Sequence, residues 1–457
     1  MKLIYDIDDK PKFGQLIVFA IQQLLAIMAA TLVVPVVVNG ATGSTMSSAA
    51  ALLGAGAGTL VYILFTRKKS PVFLGSSFAF IASMCAAFAG GVSMSLGYLG
   101  LIIGAIFAGL VYVIIALIVK AVGVKWINKL MPAIVIGPTV AIIGLSLAGN
   151  AVTDILKGNV VNAENVQLAS PFVCLLCGLV TLITTMICST FGKKMARLIP
   201  FILGILAGYV VALVFTLIGN AAGIDALKVL SFDAFKALVA DGITISTFVS
   251  VPDFTFLTAF KGFGELNVTY IATLAVAYIP VAFVVFAEHI ADHKNISSII
   301  EKDLLEEPGL HRTLLGDGIG SMVGAFFGGC PNTTYGESVG CVAITRNASV
   351  LTILAAAILA IVISFISPFI AFVNSIPSCV MGGVCMALYG FIAVSGLKMF
   401  KNIDLEDNRN LFVASVILIA GIGNLTLNFG KVTLTPVACA LILGIVTNLI
   451  LSRKNNG

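Results

Sequence analysis

The sequence predicts an all-α polytopic membrane protein whose fourteen transmembrane segments form two inverted repeats of seven. The first observation behind this is composition. Of 457 residues, 59% are hydrophobic and 10% are charged, and the mean hydropathy is +1.10. Soluble chains are about one quarter charged, so a soluble enzyme is excluded, and so is a disordered chain. The second is run length: the apolar stretches are long and continuous, unlike the short alternating strands of a membrane barrel. The third is where lysine and arginine fall.

The first half offers spans near 13–38, 46–66, 71–90, 95–119, 130–149, 168–190 and 197–219. A polar stretch at 220–265, with Asp225, Asp233, Asp241, Asp253 and Glu265, reads as an extracytoplasmic loop. The second half offers 268–291, 313–329, 332–345, 349–373, 376–397, 410–427 and 432–452. Basic residues concentrate in cytoplasmic loops. With the N-terminus inside, the inside segments collect Lys2, Lys10, Lys12, Arg67, Lys68, Lys69, Lys120, Lys125, Lys129, Lys193, Lys194 and Arg197. From the second half they collect Lys294, Lys302, Arg312, Arg346, Lys398, Lys401, Arg409, Arg453 and Lys454. Of the 26 basic residues, this leaves only Lys157, Lys228, Lys236, Lys261 and Lys431 outside. One missed span would scramble that alternation. Both termini are therefore expected in the cytoplasm, and the odd number of spans per half inverts one repeat relative to the other. Because the basic residues are spread over short loops, the net charge of +5 does not point to a nucleic-acid partner.

No cleavable leader is expected, because Met1 to Lys12 carries six charges and runs straight into a span. Cysteines lie mostly in apolar stretches and read as packing groups, including the Cys174/Cys177 pair.

The third span of each half is interrupted. The first reads Ser70-Pro71-Val72-Phe73-Leu74-Gly75-Ser76-Ser77-Phe78, and the second Gly329-Cys330-Pro331-Asn332-Thr333-Thr334-Tyr335-Gly336-Glu337-Ser338. Matching breaks in inverted repeats mark transporter sites, because unwound backbone frees N–H and C=O groups and half-helix ends face the gap. Four acids sit inside spans: Glu288, Asp292, Asp317 and Glu337. An ionisable group at such depth is costly and is read as functional. Glu288 and Asp292, four residues apart, share one helix face. Asp317, between Gly316 and Gly318, is expected to play a structural hydrogen-bonding part. His289 and His293 stand at zinc-like i, i+4 spacing, but the acid precedes the first histidine, unlike H-E-x-x-H. His293 is expected to cap a helix at the membrane surface.

The run PNTTYGESVGCVAITR, Pro331 to Arg346, resembles the signature of the nucleobase–ascorbate transporters (nucleobase:cation symporters), in their bacterial uracil-permease branch. Gly75-Ser76-Ser77-Phe78-Ala79-Phe80, Ala287-Glu288-His289, Asp303-Leu304-Leu305 through Arg312, and Met381-Gly382-Gly383-Val384 leading to Tyr389-Gly390 match as well. The resemblance covers nearly the whole chain. It implies a core domain (1–119 and 268–373), a gate domain (130–219 and 376–452) and short strands at the breaks of spans 3 and 10. It implies proton-coupled uptake of a nucleobase, uracil first and a purine such as xanthine or urate second, with sodium as the other coupling ion. A homodimer in the cell membrane is implied, and no cofactor or metal. Glu288 and Glu337 would bind the base through their carboxylates. Phe78, Tyr335 and Gly336 would supply backbone and ring contacts, with Tyr389 reaching in from the gate. Glu288, Asp292 and Glu337 would handle the proton. Two positions depart from the family pattern: Gln23 stands where a histidine is usual, and Ser338 where an asparagine is usual. An anion channel or exchanger on the same architecture is the reading from another class.

Overall fold

The computed structural model describes residues 3–452 apart from 124, 125, 127–131, 163–165, 194, 241, 430 and 431. Lys2, Lys125, Lys129, Lys194, Asp241, Lys431, Arg453 and Lys454, used above to place loops, lie outside the described residues. The principal helices of the first half are α1 (Phe13–Thr42), α2 (Ser48–Phe65), α3 (Ile81–Ala87), α4 (Met94–Val122), α5 (Ala133–Ser146), α6 (Pro171–Phe191) and α7 (Pro200–Ala222). Those of the second are α8 (Val268–Ile300), α9 (Leu310–Gly328), α10 (Gly336–Thr345), α11 (Val350–Ile363), α12 (Ser378–Lys398), α13 (Asn408–Ile422) and α14 (Pro436–Ser452). Among the described residues, eight helices are long and apolar enough to cross a membrane. The other predicted spans coincide with shorter apolar helices or with α9 and α10.

The two halves pack alike. α4 lies on α9 as α11 lies on α2, and α8 lies on α4 as α1 lies on α11. α6 pairs with α7 as α13 pairs with α14, and α6 meets α12 as α13 meets α5. Exchanging the repeats leaves this pattern unchanged, the mark of an internal twofold. Strand β1 (Leu74–Ser76) pairs antiparallel with β2 (Asn332–Thr334) across that relation.

Several boundaries differ from the sequence reading. α8 runs to Ile300, well past the predicted end, because Asp292 and His293 are interior helix residues and not a terminus. His293 is fully buried, so the expected surface cap is wrong. Its Nε2 bonds Tyr62 at 2.7 Å and its ring stacks on His289 at 4.0 Å. An antiparallel hairpin, β3 (Leu427–Phe429) and β4 (Val432–Leu434), occupies the end of predicted span 13 and the start of span 14. The polar stretch 220–265 folds into short helices, of which Thr255–Ala259 packs on α4 and α9. There Phe256 stacks on Phe326 at 4.7 Å.

Helices α2 and α9 touch backbone to backbone. A Cβ on Gly54 would lie 2.5 Å from the Gly324 carbonyl, and one on Gly58 would lie 2.6 Å from that of Gly320. In lipid, where apolar surface gives helices no reason to associate, close approach of small residues supplies the packing. At the basic end, residues 4–9 form a strap along the chain after α10. Tyr5 bridges to Asn347, while Asp6 pairs with Lys302 at 2.6 Å and Asp8 with Lys69 at 3.0 Å. The Lys302 ammonium holds the Asp6 carboxyl below the ordinary carboxylate range.

Two outcomes follow from this packing. Gly54→Val should lower stability by about 1–3 kcal/mol through overpacking, seen as a reduced thermal midpoint, whereas Gly40→Ala, in open space, should not. Asp6→Asn should cost less than about 1 kcal/mol, because both partners are half exposed. A depressed carboxylate contributes stability above its unfolded pKa, so the difference from wild type should vanish as pH falls below the carboxylate range.

Candidate functional site

Where two helices stop in the middle of a membrane protein, their freed backbone groups need partners. The breaks supply them to each other. Leu74, Gly75 and Ser76 pair with Thr334, Thr333 and Asn332, and the ladder is extended by Ser77 N–H to Pro331 O at 2.9 Å and Tyr335 N–H to Phe73 O at 3.3 Å. Side chains secure the pair from behind. Thr59 accepts from Leu74 N–H at 2.9 Å, and the Asn332 amide donates to Gly54 O at 3.0 Å. The Tyr335 hydroxyl donates to Ser76 O at 2.5 Å, with its ring lying where a Cβ of Gly75 would be.

The helices resume at the ends of these strands, α10 directly and α3 through the turn Phe78–Phe80. A recess of about 50 Å³ opens between them, lined by Phe78, Thr333, Tyr335, Glu288 and Glu337 on one side. Ile143, Leu388 and Ile392 form the opposite, apolar wall. Glu288, Glu337, Leu388 and Ile392 also line a larger cavity of about 440 Å³, which reaches Arg197 and Met399 near the basic end. Asp292 and Gly336 line this outer cavity only.

The structure therefore gathers the sequence candidates. Glu288 and Asp292 lie one turn apart on the cavity face of α8, and Glu337 sits in the first turn of α10. The Asp292 carboxylate accepts a hydrogen bond from the Thr334 hydroxyl at 2.9 Å, tying α8 to β2. Phe78 and Tyr389 meet edge to face at 5.9 Å, but Tyr389 lines neither cavity, and α12 reaches the recess through Leu388 and Ile392. Asp317 is buried on α9 and bonds His289 Nδ1 at 2.7 Å, the structural part expected of it. His289 and His293 use their ring nitrogens on Asp317, Thr313, Tyr62 and the His289 carbonyl, all within 3.0 Å.

Three features were not foreseen. The apolar wall is invisible in sequence because Ile143, Leu388 and Ile392 look like every other span residue. The Thr334 contact had a signal, a hydroxyl inside the broken segment. The two departures from the family pattern turn out to touch: the Gln23 amide donates to the Ser338 hydroxyl.

A family model described as "Permease family" matches residues 14–429. The chain belongs to this family, the nucleobase–ascorbate transporters. Among curated relatives, it is 38% identical to the uracil permease of Bacillus caldolyticus over 457 residues, covering 99% of this chain and 96% of that one. It is 37% identical to the uracil permease of Bacillus subtilis (strain 168), over 99% and 96%. The uracil permease of Escherichia coli (strain K12) is 32% identical, over 97% and 93%. Among solved structures, the fold resembles the transmembrane domain of the cyanobacterial bicarbonate transporter BicA, with a TM-score of 0.59, 14% identity, and coverage of 97% of this chain and 100% of that one. It also resembles the murine Slc26a9 anion transporter, with a TM-score of 0.63, 9% identity, and coverage of 98% and 69%. At such identities the likeness concerns the fold alone.

Tyr335→Phe removes the donor to Ser76 O and should lower stability by about 1 kcal/mol. An unchanged thermal midpoint would show that this bond does not hold the strand pair.

Proposed function

We propose that this permease is a proton-coupled symporter that imports a nucleobase, uracil first, across the cell membrane by alternating access. The observation that carries the reading is the recess at the paired breaks, with Glu288 on one side and Glu337 at the half-helix end. Ionised carboxylates only accept hydrogen bonds, so they suit the ring N–H groups of a pyrimidine edge. Phe78 and Tyr335 offer aromatic surface to the ring faces, and backbone at Gly336 is open to the cavity. The shared names of three full-length relatives support uracil in particular.

In this reading α1–α4 with α8–α11 form the core, and α5–α7 with α12–α14 form the gate. The packing of each set on itself supports the division. The base binds where Tyr389 of the gate meets Phe78 of the core. Movement of one set against the other would open the recess alternately to each side. The cavity running from the acids toward Arg197 would then be the cytoplasmic route, with the basic loops and both termini on that side. Protonation of the carboxylate trio, Glu288, Asp292 and Glu337, would offset their mutual repulsion as the site reorients, linking proton and base movement. The working unit is a homodimer, with sodium as the other coupling ion to be tested. Anion transport, as the names of the two structural neighbours describe it, fits poorly because Glu337 at the second break and Glu288 across from it put carboxylates where an anion would sit.

Labelled uracil uptake by cells expressing the protein should fall when a protonophore collapses the gradient. Glu288→Gln keeps the shape but loses the charge-assisted bond, so affinity should drop about 10- to 100-fold. Unlabelled uracil should compete out the signal. Displacement by xanthine or urate but not by uracil would instead make it a purine permease. Unchanged uptake by Glu288→Gln would remove Glu288 from the site.

A further inference from the structure

Helix α10 carries Glu337 but has only ten residues, Gly336–Thr345, so its direction depends on what holds it. Its cavity side presents Gly336, Glu337, Gly340 and Ile344. Its back is buried, and there Ser338 is fully enclosed. The Ser338 hydroxyl accepts two hydrogen bonds. One comes from the Phe73 N–H at 2.9 Å, at the start of the break in the first repeat. The other comes from the Gln23 amide of α1, itself only 2% exposed. One oxygen thus joins α1, the unwound segment before β1, and the half-helix of the second repeat.

We propose that Gln23 is a positioning residue for Glu337, acting through Ser338, and that the Gln23–Ser338 pair sets the affinity of the recess for its base. The inference rests on the uracil reading above. Glu337 and Ser338 are neighbours in the first turn, so a small rotation of α10 about its axis carries the carboxylate toward or away from the recess. Releasing the Gln23 bond frees that rotation while leaving the Phe73 bond and the β1–β2 ladder in place. Both groups of the pair are uncharged at every accessible pH. The clamp therefore holds equally in all protonation states of Glu288, Asp292 and Glu337, and any pH dependence of binding comes from those carboxylates. A bond between two buried groups is also expected to couple strongly, since loss of one partner leaves the other little to lose.

The test is a double-mutant cycle of Gln23→Met and Ser338→Ala, read by uracil uptake and by thermal unfolding of the purified protein. Each single variant should raise KM about tenfold with Vmax at matched expression within about twofold, and the double variant should be no worse. Gln23→His retains a ring N–H donor and should recover most of the affinity lost in Gln23→Met. It should also add a dependence of KM on pH near neutrality, where imidazole titrates. A purely structural loss would lower Vmax through misfolding and would show neither recovery nor new titration. Unchanged KM in Gln23→Met, or losses in KM that multiply in the double variant, would overturn the proposal. Wild-type protein that takes up no uracil would instead refute the substrate reading. In that case the thermal cycle still decides the clamp: a double variant no less stable than Ser338→Ala alone supports it, and additive losses overturn it.

Discussion

Lipid offers no hydrogen-bond partners, and the structure is arranged around that constraint. Two helices are broken in the interior of the membrane protein, each break freeing backbone groups that must bond to something. The antiparallel pairing of Leu74–Ser76 with Asn332–Thr334 satisfies them by joining one repeat to the other. Neither half could make this bond set alone. The glycines of α2 and α9 serve the same end, since Gly54 and Gly324 let the flanking helices close behind the strands, where Asn332 donates to Gly54 O. Once the strand pair exists, α10 starts beside it, and Glu337 is brought opposite Glu288.

Charge is handled by the same economy. Helix α8 sorts its polar residues by face: Glu288 and Asp292 turn to the cavity, while His289 and His293 turn inward to Asp317 and Tyr62. A polar helix side inside a bundle is tolerated because each inward group finds a partner. The inward contacts hold α8 in register, and the register keeps both acids in the cavity.

Much of this was legible in the sequence, for physical reasons that can be named. Spans and breaks write themselves in composition, because lipid demands apolar runs and because each break sets a proline four or five residues before a glycine among polar side chains, Pro71 with Gly75 and Pro331 with Gly336. The acids stood out because charge is rare at depth. What stayed hidden depends on long-range contact. Nothing local separates Leu388 or Ile392 from any other apolar residue, so the far wall of the recess had no signal. His293 was misjudged because its partner, Tyr62, lies on a helix of the other repeat, and an unpaired histidine belongs at a surface. Gln23 and Ser338 each looked like a weakness in the family pattern; only the fold shows that they lie against one another.

The account stands on the recess between Glu288 and Glu337 being where the base sits. An experimentally determined structure of the protein with uracil bound tests this most directly. The account predicts the ring in the recess beside β1 and β2, with ring N–H groups within hydrogen-bond distance of the Glu288 and Glu337 carboxylates and Phe78 and Tyr335 against its faces. Uracil bound elsewhere, with the two carboxylates left without contact to it, would contradict it.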